Sequence, residues 1–278
     1  MMKKTFTFLL AVGFILTFTN GCHLLDKENF IKFKETTVSG KTSIPNDFIP
    51  QNLKVVSIGD SLTEGIGDST KSGGYLPYLE KSLEKEKGIN KVTFSNFGVK
   101  GNRSSQILQR LAKPVVKEAI HESDMVIITM GGNDIMKVVK ENLTNLQIQA
   151  FDKEKVTYEK NLREVIELIR NENSEAVIVL IGLYNPFSQW FSNVEEMNTI
   201  LNDWNQTSRM IISEFDQSFF VEIDDIFQEN EENLLYKDYF HPNDKGYELI
   251  ANRIYEQLDD QALAVIANKK VTSRSEAY

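Results

Sequence analysis

The sequence predicts an α/β fold, a three-layer α/β/α sandwich built on a five-stranded parallel sheet. Three observations carry that expectation. From Leu53 onward, short apolar runs alternate with longer amphipathic segments. Three of the runs are almost wholly apolar and β-branched, as in strands buried on both faces. Strands that alternate with helices need right-handed crossovers, which make a parallel sheet covered on both sides.

The elements follow in order. The apolar runs are Leu53–Ile58, Val92–Phe97, Met125–Met130, Ala176–Leu183 and Phe219–Ile223. Helical periodicity is read over Gly74–Lys87, Ser104–His121, Lys155–Asn171 and Val194–Phe215, and a last helix starts near Asn243. Gly65–Gly74, Lys137–Lys153 and Asn185–Asn193 are expected as loops.

Ahead of the domain, the basic Met1–Lys4 precedes the apolar Phe6–Phe18, too short a run to span a membrane comfortably. Residues 1–21 therefore read as a signal peptide. The stretch resembles a bacterial lipoprotein signal: Cys22, the one cysteine, follows Gly21 directly, and the resemblance makes it the expected lipidation site, tying the chain to the outer face of the cytoplasmic membrane. A single cysteine allows no internal disulfide. The polar stretch 22–52, with Pro45 and Pro50, reads as a tether, 53–266 as the folded domain and 267–278 as a polar tail.

A formal net charge of −9 disfavours nucleic acid, which requires clustered Lys and Arg. Scattered histidines offer no zinc spacing, and the glycine loops lack both the P-loop Lys and the dinucleotide pattern. No metal or organic cofactor is expected, and the chain is expected to be a monomer.

Open parallel sheets bind ligands at the carboxyl ends of their strands. The segments there are Gly59-Asp60-Ser61-Leu62, Asn96-Phe97-Gly98-Val99-Lys100-Gly101-Asn102, Gly131-Gly132-Asn133-Asp134 and, past the fifth run, Asp238-Tyr239-Phe240-His241-Pro242. Together they supply a hydroxyl, a glycine amide, a side-chain amide and a carboxylate–imidazole pair. Serine needs a base within hydrogen-bond reach, and histidine needs a carboxylate to set its tautomer. The amides of Ser61 and Gly101 with the Asn133 side chain suit a developing oxyanion.

These blocks, GDSLTEG, NFGVKGN, GGND and DYFHPN, resemble in order the four motif blocks of the SGNH hydrolases, the GDSL esterase/lipase family. The resemblance spans roughly residues 53–258. The whole chain looks like the extracellular lipoprotein members from Gram-positive bacteria. It implies a flavodoxin-like sheet and no cofactor. Ser61 would be the nucleophile, His241 the base and Asp238 its orienting carboxylate; Ser61, Gly101 and Asn133 would form the oxyanion hole. The rival α/β-hydrolase elbow, G-x-S-x-G, is broken by Thr63.

Blander roles stand beside these. Ser61 also suits a helix N-cap, Asn133 an ordinary turn, and Asp224 or Asp244 the place of Asp238. Asp60 is read as holding the serine turn by its side chain, and Asp134 as binding the loop that carries Ser61. Phe187, Trp190 and Phe191 suit either an acyl pocket or core. The expected substrate is a lipid or lysophospholipid-like acyl ester. Alternatives are an O-acetylated polysaccharide of the cell wall or extracellular matrix, and a non-catalytic surface lipoprotein that binds a partner.

Overall fold

The computed structural model describes residues 50–142, 147–186, 194–228, 232–259 and 262–263. The signal-peptide, Cys22, tether and tail expectations lie outside them, except that the first strand already begins at Gln51.

Five parallel strands are present: β1 (Gln51–Gly59), β2 (Ile89–Gly98), β3 (Met125–Thr129), β4 (Val177–Ile181) and β5 (Ser218–Val221). Their order is β2-β1-β3-β4-β5, the arrangement expected of a flavodoxin-like sheet. The chain crosses to one side of β1 for β2 and to the other for β3. The carboxyl end of β1 is therefore where the winding reverses, and a crevice opens there.

The described helices are α1 (Ser61–Glu64), α2 (Leu76–Leu83), α3 (Ser104–Leu111), α4 (Pro114–His121), α5 (Gly132–Glu141), α6 (Ile148–Glu172), α7 (Val194–Ile212), α8 (Asp224–Gln228) and α9 (Asp244–Asp259). Strand side chains alternate between two cores. Val55, Ile127 and Val179 pack with Leu79 of α2 and Ile250 and Ile254 of α9. Val56, Ile128 and Ile178 pack with Ile107 of α3, Leu162 and Ile166 of α6 and Trp204 of α7. All five residues of β3 and of β4 are buried, which explains their unbroken apolar runs.

Three helix expectations change. Ser104–His121 is two helices, because Pro114 disfavours helical backbone at Lys113, which is extended (ψ 132°). Lys137–Lys153 is not one loop: its first part belongs to α5 and its last to α6. The short α8 had no readable period over its five residues.

Candidate active site

β1 ends in Gly59 because β3 lies against it. A Cβ there would sit 2.1 Å from Thr129 Oγ1. The chain then turns into α1, and Asp60, not Ser61, is its N-cap: Asp60 Oδ1 accepts from Leu62 N at 3.0 Å. Ser61 is the first helical residue, so its N–H has no intrahelical acceptor. The expected turn-holding role of Asp60 matches this geometry. Thr129 Oγ1 also donates to Asp60 Oδ1, at 3.0 Å. Burial raises the Asp60 pKa, opposed by those hydrogen bonds.

Thr63 breaks the glycine elbow for a visible reason. It is fully buried, and its Oγ1 lies 2.8 Å from Thr129 Oγ1 and 3.2 Å from the Tyr75 hydroxyl. Tyr75 in turn meets Ser57 Oγ at 2.8 Å. A buried chain of hydroxyls thus pins the serine turn to the sheet. Gly65, in left-handed conformation (φ 88°), ends α1 after one turn.

His241 reaches the serine from the loop between α8 and α9. Its Nε2 lies 2.9 Å from Ser61 Oγ, and its Nδ1 lies 2.7 Å from Asp238 Oδ2. Asp238 Oδ1 accepts from the amides of Phe240 at 3.1 Å and His241 at 3.0 Å. Burial opposes the Asp238 charge, but the His241 ring and these two amides outweigh it and hold the carboxyl below its ordinary range. An ionised Asp238 keeps the proton on Nδ1 and leaves Nε2 free to accept from Ser61. Asp244 and Asp224 serve elsewhere: Asp244 accepts from Ser69 N at 2.8 Å, and Asp224 from Gln228 Nε2.

The loop is held from outside as well. The Tyr184 hydroxyl donates to the Phe240 carbonyl at 2.7 Å, while within the loop Tyr236 N donates to the His241 carbonyl at 2.7 Å. Gly67 packs so closely that a Cβ would stand 2.2 Å from the Pro242 carbonyl oxygen.

Asn133 and Gly101 are linked through one residue. Asn133 Nδ2 donates to the Asn102 carbonyl at 3.0 Å, leaving its second N–H. Gly101 is exposed at φ 78°, outside the crevice lining, and its N–H meets no acceptor among the described residues. Asp134 does not bind the Ser61 loop as expected. It binds Ser104, whose N–H donates to Oδ2 at 2.9 Å and whose hydroxyl donates to Oδ1 at 2.6 Å. The expectation failed because Asp134 is the third residue of α5, and that helix was not foreseen.

Beside Ser61, Asn133 and His241 opens a crevice of about 680 Å³, counting its mouth. Its far wall is apolar: Ile135 and Met136 of α5, Met197 and Leu201 of α7, and Leu183 and Pro186 after β4. Sequence reasoning missed Met136, Met197 and Leu201, since amphipathic spacing does not separate cavity wall from core. Phe187, Trp190 and Phe191 lie outside the described residues. Among the described residues no group of three His, Cys, Asp or Glu side chains is placed to hold a metal.

Comparison with known proteins decides the family. The model of the GDSL-like lipase/acylhydrolase family matches residues 57–249. The chain belongs to this family. It is 33% identical over 230 residues to protein YpmR of Bacillus subtilis, covering 82% of this chain and 90% of that one. It is 24% identical to the spore germination lipase LipC of Bacillus licheniformis, covering 73% and 94%. Among solved structures it resembles the lipase Lip_vut3 from a goat rumen metagenome, with TM-score 0.66, 24% identity and coverage of 73% and 95%. It also resembles the acetylxylan esterase Axe2 of Geobacillus stearothermophilus, with TM-score 0.57, 19% identity and coverage of 76% and 96%. For this GDSL-family chain, the two structural likenesses establish the fold. They do not choose between lipid and sugar esters.

Proposed function

We propose that the protein is a serine-dependent carboxylic ester hydrolase acting on lipid or lysophospholipid-like acyl esters. The observation that carries the chemistry is the unbroken line Asp238–His241–Ser61, with 2.7 Å and 2.9 Å between partners. Ser61 Oγ attacks the ester carbonyl while His241 Nε2 takes its proton, and Asp238 stabilises the imidazolium. The amides of Ser61 and Gly101 and the free N–H of Asn133 receive the oxyanion. His241 then protonates the departing alcohol. In the second half it takes a proton from water, which attacks the acyl-enzyme, and returns that proton to Ser61 Oγ as the C–Oγ bond breaks and the acid leaves.

The apolar wall built by α5 and α7 supports an acyl chain rather than a sugar as the group taken into the crevice. The name of the relative LipC points the same way. The likeness to Axe2 supports a second reading, an O-acetylesterase on cell-wall or extracellular polysaccharide, in which an acetyl group would leave the wall uncovered. In both readings the enzyme works as a monomer without a cofactor and binds no nucleic acid. It acts at the outer face of the cytoplasmic membrane, held by a lipid on Cys22.

The deciding experiment is a profile of ester hydrolysis from acetyl to long-chain acyl groups, run beside Ser61→Ala. Preference for chains well beyond acetyl supports the lipid reading, and a maximum at acetyl moves the assignment to the polysaccharide esterase. Undiminished hydrolysis by Ser61→Ala, or no labelling of Ser61 by a fluorophosphonate, overturns the serine mechanism. A protein unlabelled and inactive on every ester would be the non-catalytic lipoprotein.

A further inference from the structure

We propose that Asp134 is a positioning residue for the oxyanion donors, acting through Ser104 to hold Gly101 and Asn133 in one rigid unit. The proposal rests on the serine-hydrolase reading above and goes beyond it.

The motif GGND ends in a carboxylate that the reaction does not use. Asp134 is 2% exposed, and burial pushes its pKa up against the hydrogen bonds from Ser104. Burying a carboxyl costs free energy unless its oxygens are hydrogen-bonded, so its place here calls for a physical reason. Its two oxygens take the backbone N–H and the hydroxyl of Ser104, which opens α3 three residues after Gly101. The Ser104 hydroxyl oxygen also accepts from Asn161 Nδ2 of α6 at 2.8 Å. Meanwhile Asn133, directly before Asp134, holds the Asn102 carbonyl, directly after Gly101. The result is a closed ring in which each proposed donor sits beside an anchor on the other's segment.

Gly101 needs such a ring. A Cβ built on it finds nothing within 4 Å, so its side-chain face is open. Its N–H direction is set by the turn it sits in, closed by Asn102 N donating to the Val99 carbonyl at 3.1 Å, and by the flanks of that turn. Upstream, the Glu64 carboxylate of α1 takes the Lys100 N–H, and Val99 N donates to the Gly59 carbonyl at 3.0 Å. Downstream, Asp134 takes Ser104. An oxyanion hole works by preorganisation, so loosening one flank weakens the transition state more than the ground state.

The test uses the full-length protein with Ser104→Ala, Asp134→Ala and Asp134→Asn, a short-chain ester and a boronic acid that mimics the tetrahedral intermediate. For Ser104→Ala and Asp134→Ala, kcat falls by roughly ten- to a hundredfold, less than loss of a donor itself. KM stays within about twofold, and boronate affinity falls in step with kcat. Asp134→Asn keeps an acceptor for Ser104 and retains most of the activity. Unchanged kcat and boronate affinity with only a lowered melting temperature would make Asp134 merely structural and overturn the proposal. So would a loss seen only in KM. Should Asp134→Ala not fold, Ser104→Ala carries the same decision. Failure of the serine mechanism is distinguishable, because it appears as an active Ser61→Ala enzyme.

Discussion

His241 Nε2 lies 2.9 Å from Ser61 Oγ although 180 positions of chain separate the two residues. Each arrives on its own turn. Ser61 is held by a cap and a hydroxyl chain, and His241 by a loop folded around Asp238. The contact joins two separately held turns, so its parts can be removed separately.

Substituting Asp238 by Asn removes the acceptor that sets the imidazole tautomer while leaving shape intact. Hydrolysis by Asp238→Asn should fall by about a hundred- to ten-thousandfold, measured as kcat on a soluble ester. His241→Ala should lose at least as much.

Two carboxyls give opposite pH slopes in different windows. Asp238 has a lowered folded pKa, so its stabilisation is complete above the unfolded value of about 3.9 and is lost as pH falls toward the folded one. Asp60 has a raised folded pKa, so the folded state binds the extra proton and stability falls as pH rises above about 3.9. Urea unfolding of Asp60→Asn between about pH 4 and 7 should show a flatter decline with pH than the parent protein. Parallel curves would contradict the buried-charge account.

Thr63 should matter for stability more than its place in a one-turn helix suggests. Thr63→Val keeps the shape but leaves Thr129 and Tyr75 short of a buried hydroxyl partner, at a cost of about 1–3 kcal/mol. The shift in urea midpoint at constant slope reads this directly.

Filling the apolar wall should change selectivity before it changes chemistry. Met197→Trp replaces a thioether at the crevice wall by a bulky indole. Its kcat/KM on medium-chain esters should fall by about tenfold or more, with the acetyl ester little affected. Equal losses on both would show that Met197 does not face the acyl group.

Much of the site was legible as four short blocks. The glycine that lets β1 touch β3 stands at Gly59, and Asp238 and His241 share one loop because their spacing suits a single turn. Less legible were the contacts those blocks make. Asp60 and Ser61 are both good caps by composition, and only the backbone showed that Asp60 holds the position. Asp134 bonds to Ser104, thirty positions away, which no local pattern encodes.

Local chemistry in the chain alone determined the alternation of strand and helix, the buried parallel sheet and the strand-end residues carrying a hydroxyl, an imidazole and a carboxylate. These follow from periodicity and turn chemistry, which act over a few neighbouring residues. Tertiary structure decided that Ser61 and His241 meet, that Asp134 binds Ser104, and that Met136, Met197 and Leu201 line the crevice. The physical reason is packing: α5 and α7 approach across the ends of β3 and β4. Which apolar side chains are left uncovered there depends on where neighbouring elements settle, not on the hydrophobicity of any one residue.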